Sequence, residues 1–296
     1  MVTVLQKLAE SNGRPLFLCD FSPTRGADPA LYDRVKNVGA DFVIVAYSPG
    51  KSVRVDSTMA AHFIRQDGEH EAIFTLACRD MNRLALQNHL LGAHLLGLEN
   101  LVVLKGEELS EKDLTLTKSV NDVTPTQLIR DIVGLNNGID FRERNLRAPT
   151  TFCIGASFDP GQSDIKAEAN LAHQKVRAGS DFFITQVLYD PTLAKRFLEV
   201  YNDLTGDEFP KPIFYGLQIL EKEGISFGDT PERITRELEQ GRPGIEIAFE
   251  HLQNCRENGL TNFYLVPPIL KGGRRNYEAA RQLLEMFNQI SPLGSR

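Results

Sequence analysis

The stretch TLACRDMNRLALQNHLLGAHLLGLENLVVLKGE, residues 75–107, carries the reading of the fold. An apolar run, Ala72–Cys78, leads into it; a longer segment of helical period, Asn82–Leu96, follows; a second apolar run, Asn100–Lys105, closes it. Short runs with β-branched residues are the mark of buried strands, and a helix between two of them is the crossover of a parallel pair. Working outward, the unit recurs. Further strands are expected at Leu16–Asp20, Asp41–Tyr47, Thr151–Ser157, Asp181–Gln186, Pro212–Leu217 and Asn262–Pro267, eight in all. Helical segments are expected at Thr126–Leu135, Glu168–Ala178, Ile245–Glu257 and Tyr277–Phe287. Alternation of this kind belongs to the α/β class, and eight units favour a closed (β/α)8 TIM barrel over an open doubly wound sheet.

Two junctions repeat one pattern, VGADFVIVAY at 38–47 and AGSDFFITQV at 178–187, each ending a helix at glycine and entering a strand at Asp-Phe. No Pro/Ser-rich linker divides the chain. The weakly patterned segments Gly106–Pro125 and Asn136–Pro149 read as insertions around the fourth unit, so residues 1–296 form one domain.

Composition narrows the class. With 42% hydrophobic and 24% charged residues the chain can bury a large core. No segment approaches the roughly 18 to 20 apolar residues of a membrane span, and the opening MVTVLQKLAESNGRP lacks the sections of a signal peptide. A soluble, cytoplasmic protein is expected, with no membrane partner. The net charge of −6 argues against nucleic acid. Lys271, Arg274 and Arg275 form a local basic cluster, read either as an anion site or as a solvated loop. Cys19, Cys78, Cys153 and Cys255 lack metal-site spacing and read as buried, reduced thiols. His89 and His94 are five apart and read as packing or surface residues, so no metal is expected. There is no G-x-G-x-x-G, Walker loop, G-x-S-x-G or H-E-x-x-H.

A barrel gathers the C-terminal ends of its strands at one mouth. That selects Asp20, Tyr47, Arg79, Asp80, Lys105, Glu107, Ser157, Asp159, Gln186 and Gln218. Two carboxylates in one partly dry pocket push their proton affinities apart, and Asp20 with Glu107 is the natural pair.

Residues 75–107 also resemble the most recognisable stretch of methylenetetrahydrofolate reductases, where a T-C-R-D-like turn, a helix and a strand ending in a basic or small residue, Gly and an acid follow one another. The resemblance continues through FCIGASFDP at 152–160, KVRAGSDFFITQVLYD at 175–190, GIEIAFEHLQNCRENGL at 244–260 and FYLVPPIL at 263–270. The forms SFDP and FYLVPPIL are similar to the reductase domain fused to homocysteine methyltransferases in some bacteria.

The resemblance implies FAD in the mouth and a two-step reaction. Hydride passes from a nicotinamide cofactor to the flavin and then to the folate. It implies Asp20, in DFSPTR, as the general acid; Glu107, in LKGEE, as the anion that stabilises the iminium; and Gln186, in ITQ, as a contact for folate and nicotinamide. Gln218 joins Glu107 and Gln186 as a substrate contact. For the flavin it points to Tyr47, Thr75, Lys105, Gly106, Ala156, Ser157, Asp159, Glu168 and Lys175. The family usually has Glu at Asp20 and Asp at Glu107, so both acids differ in length, in opposite senses. Its last strand carries an arginine where Pro267, Pro268 and Ile269 stand here. Three alternatives stay open: another one-carbon pterin as substrate, a protein as electron donor in place of NAD(P)H, and a non-catalytic subunit of the same form. A homo-oligomer is also left open.

Overall fold

The computed structural model describes residues 2–66 and 70–290. Eight parallel strands close in sequence order: β1 (Phe17–Phe21), β2 (Phe42–Val45), β3 (Ala72–Ala77), β4 (Asn100–Leu104), β5 (Cys153–Phe158), β6 (Phe182–Val187), β7 (Ile213–Gln218) and β8 (Asn262–Val266). The closing seam pairs Phe17 with Phe263 and Cys19 with Leu265. All eight strands lie where alternation placed them, and the expected helices lie within a few residues of their expected bounds: Arg83–Leu95, Pro125–Asn136, Ile165–Ala178, Gly244–Glu257 and Tyr277–Ile290. The insertion after β4 holds one short helix, Glu111–Leu114.

Side chains alternate across each strand, so the barrel has an inner and an outer apolar layer. Leu18, Ile44, Ile73, Val102, Cys153, Phe182, Ile184 and Phe214 fill the inside. Phe17, Val43, Phe74, Val103, Ala156 and Phe183 belong to the larger cluster that includes the helices. The opening helix, Val4–Glu10, starts with a Thr3–Gln6 capping box and packs Val4 with the inner layer. Asn100, at the start of β4, accepts from Val4 N (2.9 Å) and donates to Val2 O (3.0 Å), which fastens that helix across the N-terminal end of the barrel. The opposite end is left for the loops.

The repeated Gly-x-Asp-Phe junctions have a physical cause. Gly39 and Gly179 end their helical segments at φ 78° and 111°, a region that costs glycine little. Asp41 then accepts from Phe17 N (2.9 Å) and Asp181 from Ile154 N (2.8 Å), while their own N–H groups donate to the carbonyls of the same two residues. Each aspartate thus takes up an N–H at the start of the neighbouring strand, the first of β1 and the second of β5.

Candidate functional site

The C-terminal ends of the strands converge as expected, but their polar side chains are of two kinds: some are exposed at the rim, and others are held by protein partners. On the β3–β4 side a chain of contacts joins three strand ends. Arg79, just after β3, donates from Nε and Nη2 to Asp80 Oδ1 and Oδ2 (2.7 Å each) and from Nη1 to Glu107 O (2.9 Å). A bidentate pair of this kind is among the stronger hydrogen-bonded arrangements. It holds the Asp80 carboxyl below the ordinary carboxylate range, with burial opposing and Tyr47 helping. The Tyr47 phenol, after β2, is pushed above its ordinary value by burial first and by its hydrogen bond to Asp80 next. The carbonyl of Arg79 accepts from Val120 N (2.7 Å), which anchors the insertion after β4.

Gly106 sits in this network at φ 91°, and a Cβ there would lie 2.9 Å from Arg79 Cβ and 3.2 Å from Ala77 Cβ. Only glycine suits both the conformation and the space. The turn therefore leaves Lys105 and Glu107 exposed on the rim, with Lys105 Nζ bonded to Glu108 (3.0 Å).

Gln186 reaches the rim by a different device. The pairing of β6 with β7 slips between Ile184 and Val187, and Gln186 is exposed in an otherwise buried strand. Thr185 Oγ1 donates to Gln186 O (2.7 Å) and accepts from Gly216 N (2.8 Å). Gly216 makes this possible: a Cβ on it would meet Gln186 O at 2.5 Å. Bulges re-aim side chains in this way.

On β5 the placements are mixed. Ala156 faces the helix layer, so only its backbone is available to the mouth. Lys175, on the helix Ile165–Ala178, is buried and donates to Ser157 O (2.6 Å); burial lowers its pKa, with Glu168 acting against that. Asp159 accepts from Gly161 N and Gln162 Nε2, and its own N–H donates to Glu168 Oε1 (3.0 Å), so these two acids shape the turn after β5. Thr75 is buried and donates to Val45 O (2.9 Å), tying β3 to β2. The Gln218 amide is also engaged, donating to Ile225 O (2.8 Å) and accepting from Phe227 N (2.8 Å) and Tyr189 OH (3.3 Å). It holds the loop after β7.

Asp20 lies at the end of β1, only 3% exposed. Tyr264 of β8 donates to Oδ1 (2.7 Å), and Arg275 Nη2 stands 2.9 Å from Oδ2. Arg275 also donates from Nε to Ser22 Oγ (3.1 Å). The basic cluster read from the sequence thus divides: Arg275 turns inward, Lys271 pairs with Glu223 (2.7 Å), and Arg274 is exposed. Asp20 and Glu107 are not paired to each other. Sequence reasoning missed Arg275 and Tyr264 as partners of Asp20. The loop that returns Arg275 to β1 is fixed by contacts Ile269–Arg275 and Leu270 N to Arg274 O, which carry no sequence motif.

Other expectations resolve simply. The four cysteines are free and buried. His89 bonds Thr58 Oγ1 (2.6 Å) and His94 bonds Thr151 Oγ1 (3.1 Å), both as packing partners between elements. Among the described residues no helix is long and apolar enough to cross a membrane.

Comparison with known proteins gives the family and the fold. A protein from Clostridium thermocellum, which binds two copies of 5-methyl-5,6,7,8-tetrahydrofolic acid, superposes with a TM-score of 0.64 over 97% of this chain and 99% of that one. The two share 14% sequence identity, so the likeness concerns the fold. Methylenetetrahydrofolate reductase 1 of Schizosaccharomyces pombe is 26% identical over 252 residues, 78% of this chain and 39% of that protein. The chain therefore spans well under half the length of that relative. The family model for methylenetetrahydrofolate reductase matches residues 5–222, from the opening helix through β7. With that match covering most of the barrel, the chain belongs to the methylenetetrahydrofolate reductase family.

Proposed function

We propose that the chain is a flavin-dependent oxidoreductase that reduces 5,10-methylenetetrahydrofolate to 5-methyltetrahydrofolate. The observation that carries the reading is the rim itself. Lys105–Gly106–Glu107 and Gln186, the residues that match the family motifs, are the ones the fold exposes there by special means, a left-handed glycine turn and a bulge.

FAD is the cofactor the family implies, and the donor set suits it. Gly106 allows close backbone approach, Lys105 adds an exposed cation beside it, and Lys175 supplies a buried ammonium under Ser157. Lys105 and Lys175 would hold the pyrophosphate or an electron-rich ring edge, with Tyr47, Thr75, Ala156, Ser157, Asp159 and Glu168 forming the walls and turns of the site. The flavin supplies acceptance and return of a hydride. The protein's own part is electrostatic and positional. Glu107 places an anion where the substrate becomes cationic, the Gln186 amide orients the substrate, Asp20 handles the proton, and Gln218 keeps the loop after β7 against the site.

The electron donor is NAD(P)H or a protein, and the test separates them. An absorbance spectrum of the purified protein, with FAD added if none co-purifies, is followed anaerobically by NADH and then by methylene-tetrahydrofolate. Bleaching and recovery of the flavin are expected. Tight flavin without bleaching assigns a protein donor, and no flavin binding overturns the reading.

A further inference from the structure

Asp20 and Arg275 form a buried pair at the rim, and each keeps an atom without a hydrogen bond. Nη2 lies 2.9 Å from Oδ2, yet Oδ2 has no aligned hydrogen bond, and Arg275 Nη1 has no acceptor among the described residues. Both side chains are about 5% exposed or less. Enclosed donors without acceptors are rare in native folds, and each calls for an explanation. Arg275 has five N–H donors and no acceptor of its own, so what completes it is an acceptor atom.

Tyr264 on β8 bonds Asp20, and the charge of Asp20 also acts on Cys19, its neighbour on β1, and on Tyr277 at the start of the last helix; the charge of Arg275 acts on Arg54, after β2. None of these supplies Nη1 with an acceptor. Phe227, from the loop held by Gln218, lies over the guanidinium at 5.7 Å. Arg275 also lines a groove of about 550 Å³ whose other charged residues are Asp33, Arg34, Arg274, Glu278 and Arg281. Asp20 has the opposite difficulty. Tyr264 already donates to Oδ1 and the cation stands against Oδ2, so an O–H on Oδ2 would face N–H protons rather than an acceptor.

We propose that Arg275 is a ligand-operated counter-ion for Asp20. An acceptor atom of the bound one-carbon pterin draws the guanidinium onto itself, and the released carboxylate takes up one proton from solvent at Oδ2. That O–H bond is the one broken when a substrate nitrogen is protonated. The inference rests on the reading of Asp20 as the acid of the site. Its general consequence is that the acid is armed only with substrate in place.

The binding arm uses 5-methyltetrahydrofolate as probe, with calorimetry at about pH 6 in buffers of different ionisation enthalpy. Uptake of one proton per ligand is expected for the unaltered protein, and none for Asp20→Asn. Binding without proton uptake, or uptake retained in Asp20→Asn, overturns the proposal. The second arm needs no ligand: the protonated-carboxyl infrared band of Asp20, identified by difference from Asp20→Asn, is titrated in the unaltered protein, in Arg275→Gln and in Arg275→Lys. The band is expected to persist to higher pH in Arg275→Gln, which loses the cation adjacent to Oδ2, and to a smaller extent in Arg275→Lys. An unchanged midpoint in a folded Arg275→Gln overturns the proposal. If the probe binds to none of these chains, the folate reading fails, and the infrared arm still decides whether Arg275 is the counter-ion.

Discussion

Gly216→Ala is the sharpest test of how the fold aims Gln186. The backbone at 216 is not in the left-handed region, so alanine meets no conformational penalty there and the effect is steric. The new Cβ would lie 2.5 Å from Gln186 O, 2.7 Å from its carbonyl carbon and 2.8 Å from Val187 N. Against 3.4 Å for ordinary contact, the bulge backbone has to retreat by about 0.9 Å, and overpacking of this kind costs about 1–3 kcal/mol. Straining the 2.8 Å bond from Gly216 N to Thr185 Oγ1 adds about 1 kcal/mol. The expected loss is roughly 2–4 kcal/mol, read from urea unfolding. A shift of about 1 Å at a positioning side chain costs on the order of 100-fold in rate, so folate-dependent reoxidation of the flavin should slow by about that factor. A variant with unaltered stability and reoxidation within twofold of the parent would refute the argument that Gly216 shapes the bulge. Lost stability with unaltered reoxidation would refute the role given to Gln186.

Arg79→Lys removes the bidentate bond to Asp80 and the bond to Glu107 O, so a loss of about 1.5–3 kcal/mol is expected together with weaker flavin binding, measured by urea unfolding and flavin titration. Asp20→Asn keeps an acceptor for Tyr264 and should leave flavin reduction intact while removing folate reduction; equal loss of both half-reactions would make Asp20 a structural residue. Asp20→Ala should in addition lose about 3–5 kcal/mol, because Arg275 is left buried without its carboxylate. At alkaline pH the chain should weaken. Burial pushes the Cys78, Cys153 and Cys255 thiols up to about 12 from 9.0, so the folded state keeps protons that the unfolded state loses. That stability is complete below about pH 9 and is lost as pH rises toward about 12, at about 1.4 kcal/mol per pH unit for each thiol. Urea midpoints from about pH 8 to 10 should fall, and less steeply in Cys78→Ala.

Strand count, strand order and the position of the mouth were legible in the chain, because each follows from local facts. A buried parallel strand needs an apolar run, its crossover needs helical period, and eight in alternation have few ways to pack. Lys105, Gly106, Glu107 and Gln186 were legible for the same reason, since each stands next to a strand end that the pattern marks. The Asp-Phe junctions repeat visibly, but the N–H groups their aspartates accept belong to residues 24 and 27 positions away.

Tertiary structure decided which of the candidate polar groups remain available. Gln218, Asp159, Thr75 and Tyr47 look alike in sequence to groups that meet a ligand, yet each has a protein partner, supplied by its own turn for Asp159 and by another turn or strand for the other three. Asp20 is the clearest case. Its neighbours Tyr264 and Arg275 are 244 and 255 residues further along the chain, brought to it only when β8 closes on β1. Alternating hydrophobicity specifies which side of a strand is buried, and the strands follow from it. A hydrogen bond or an ion pair is a property of two positions in space, and only barrel closure and the return of the last loop bring those positions together.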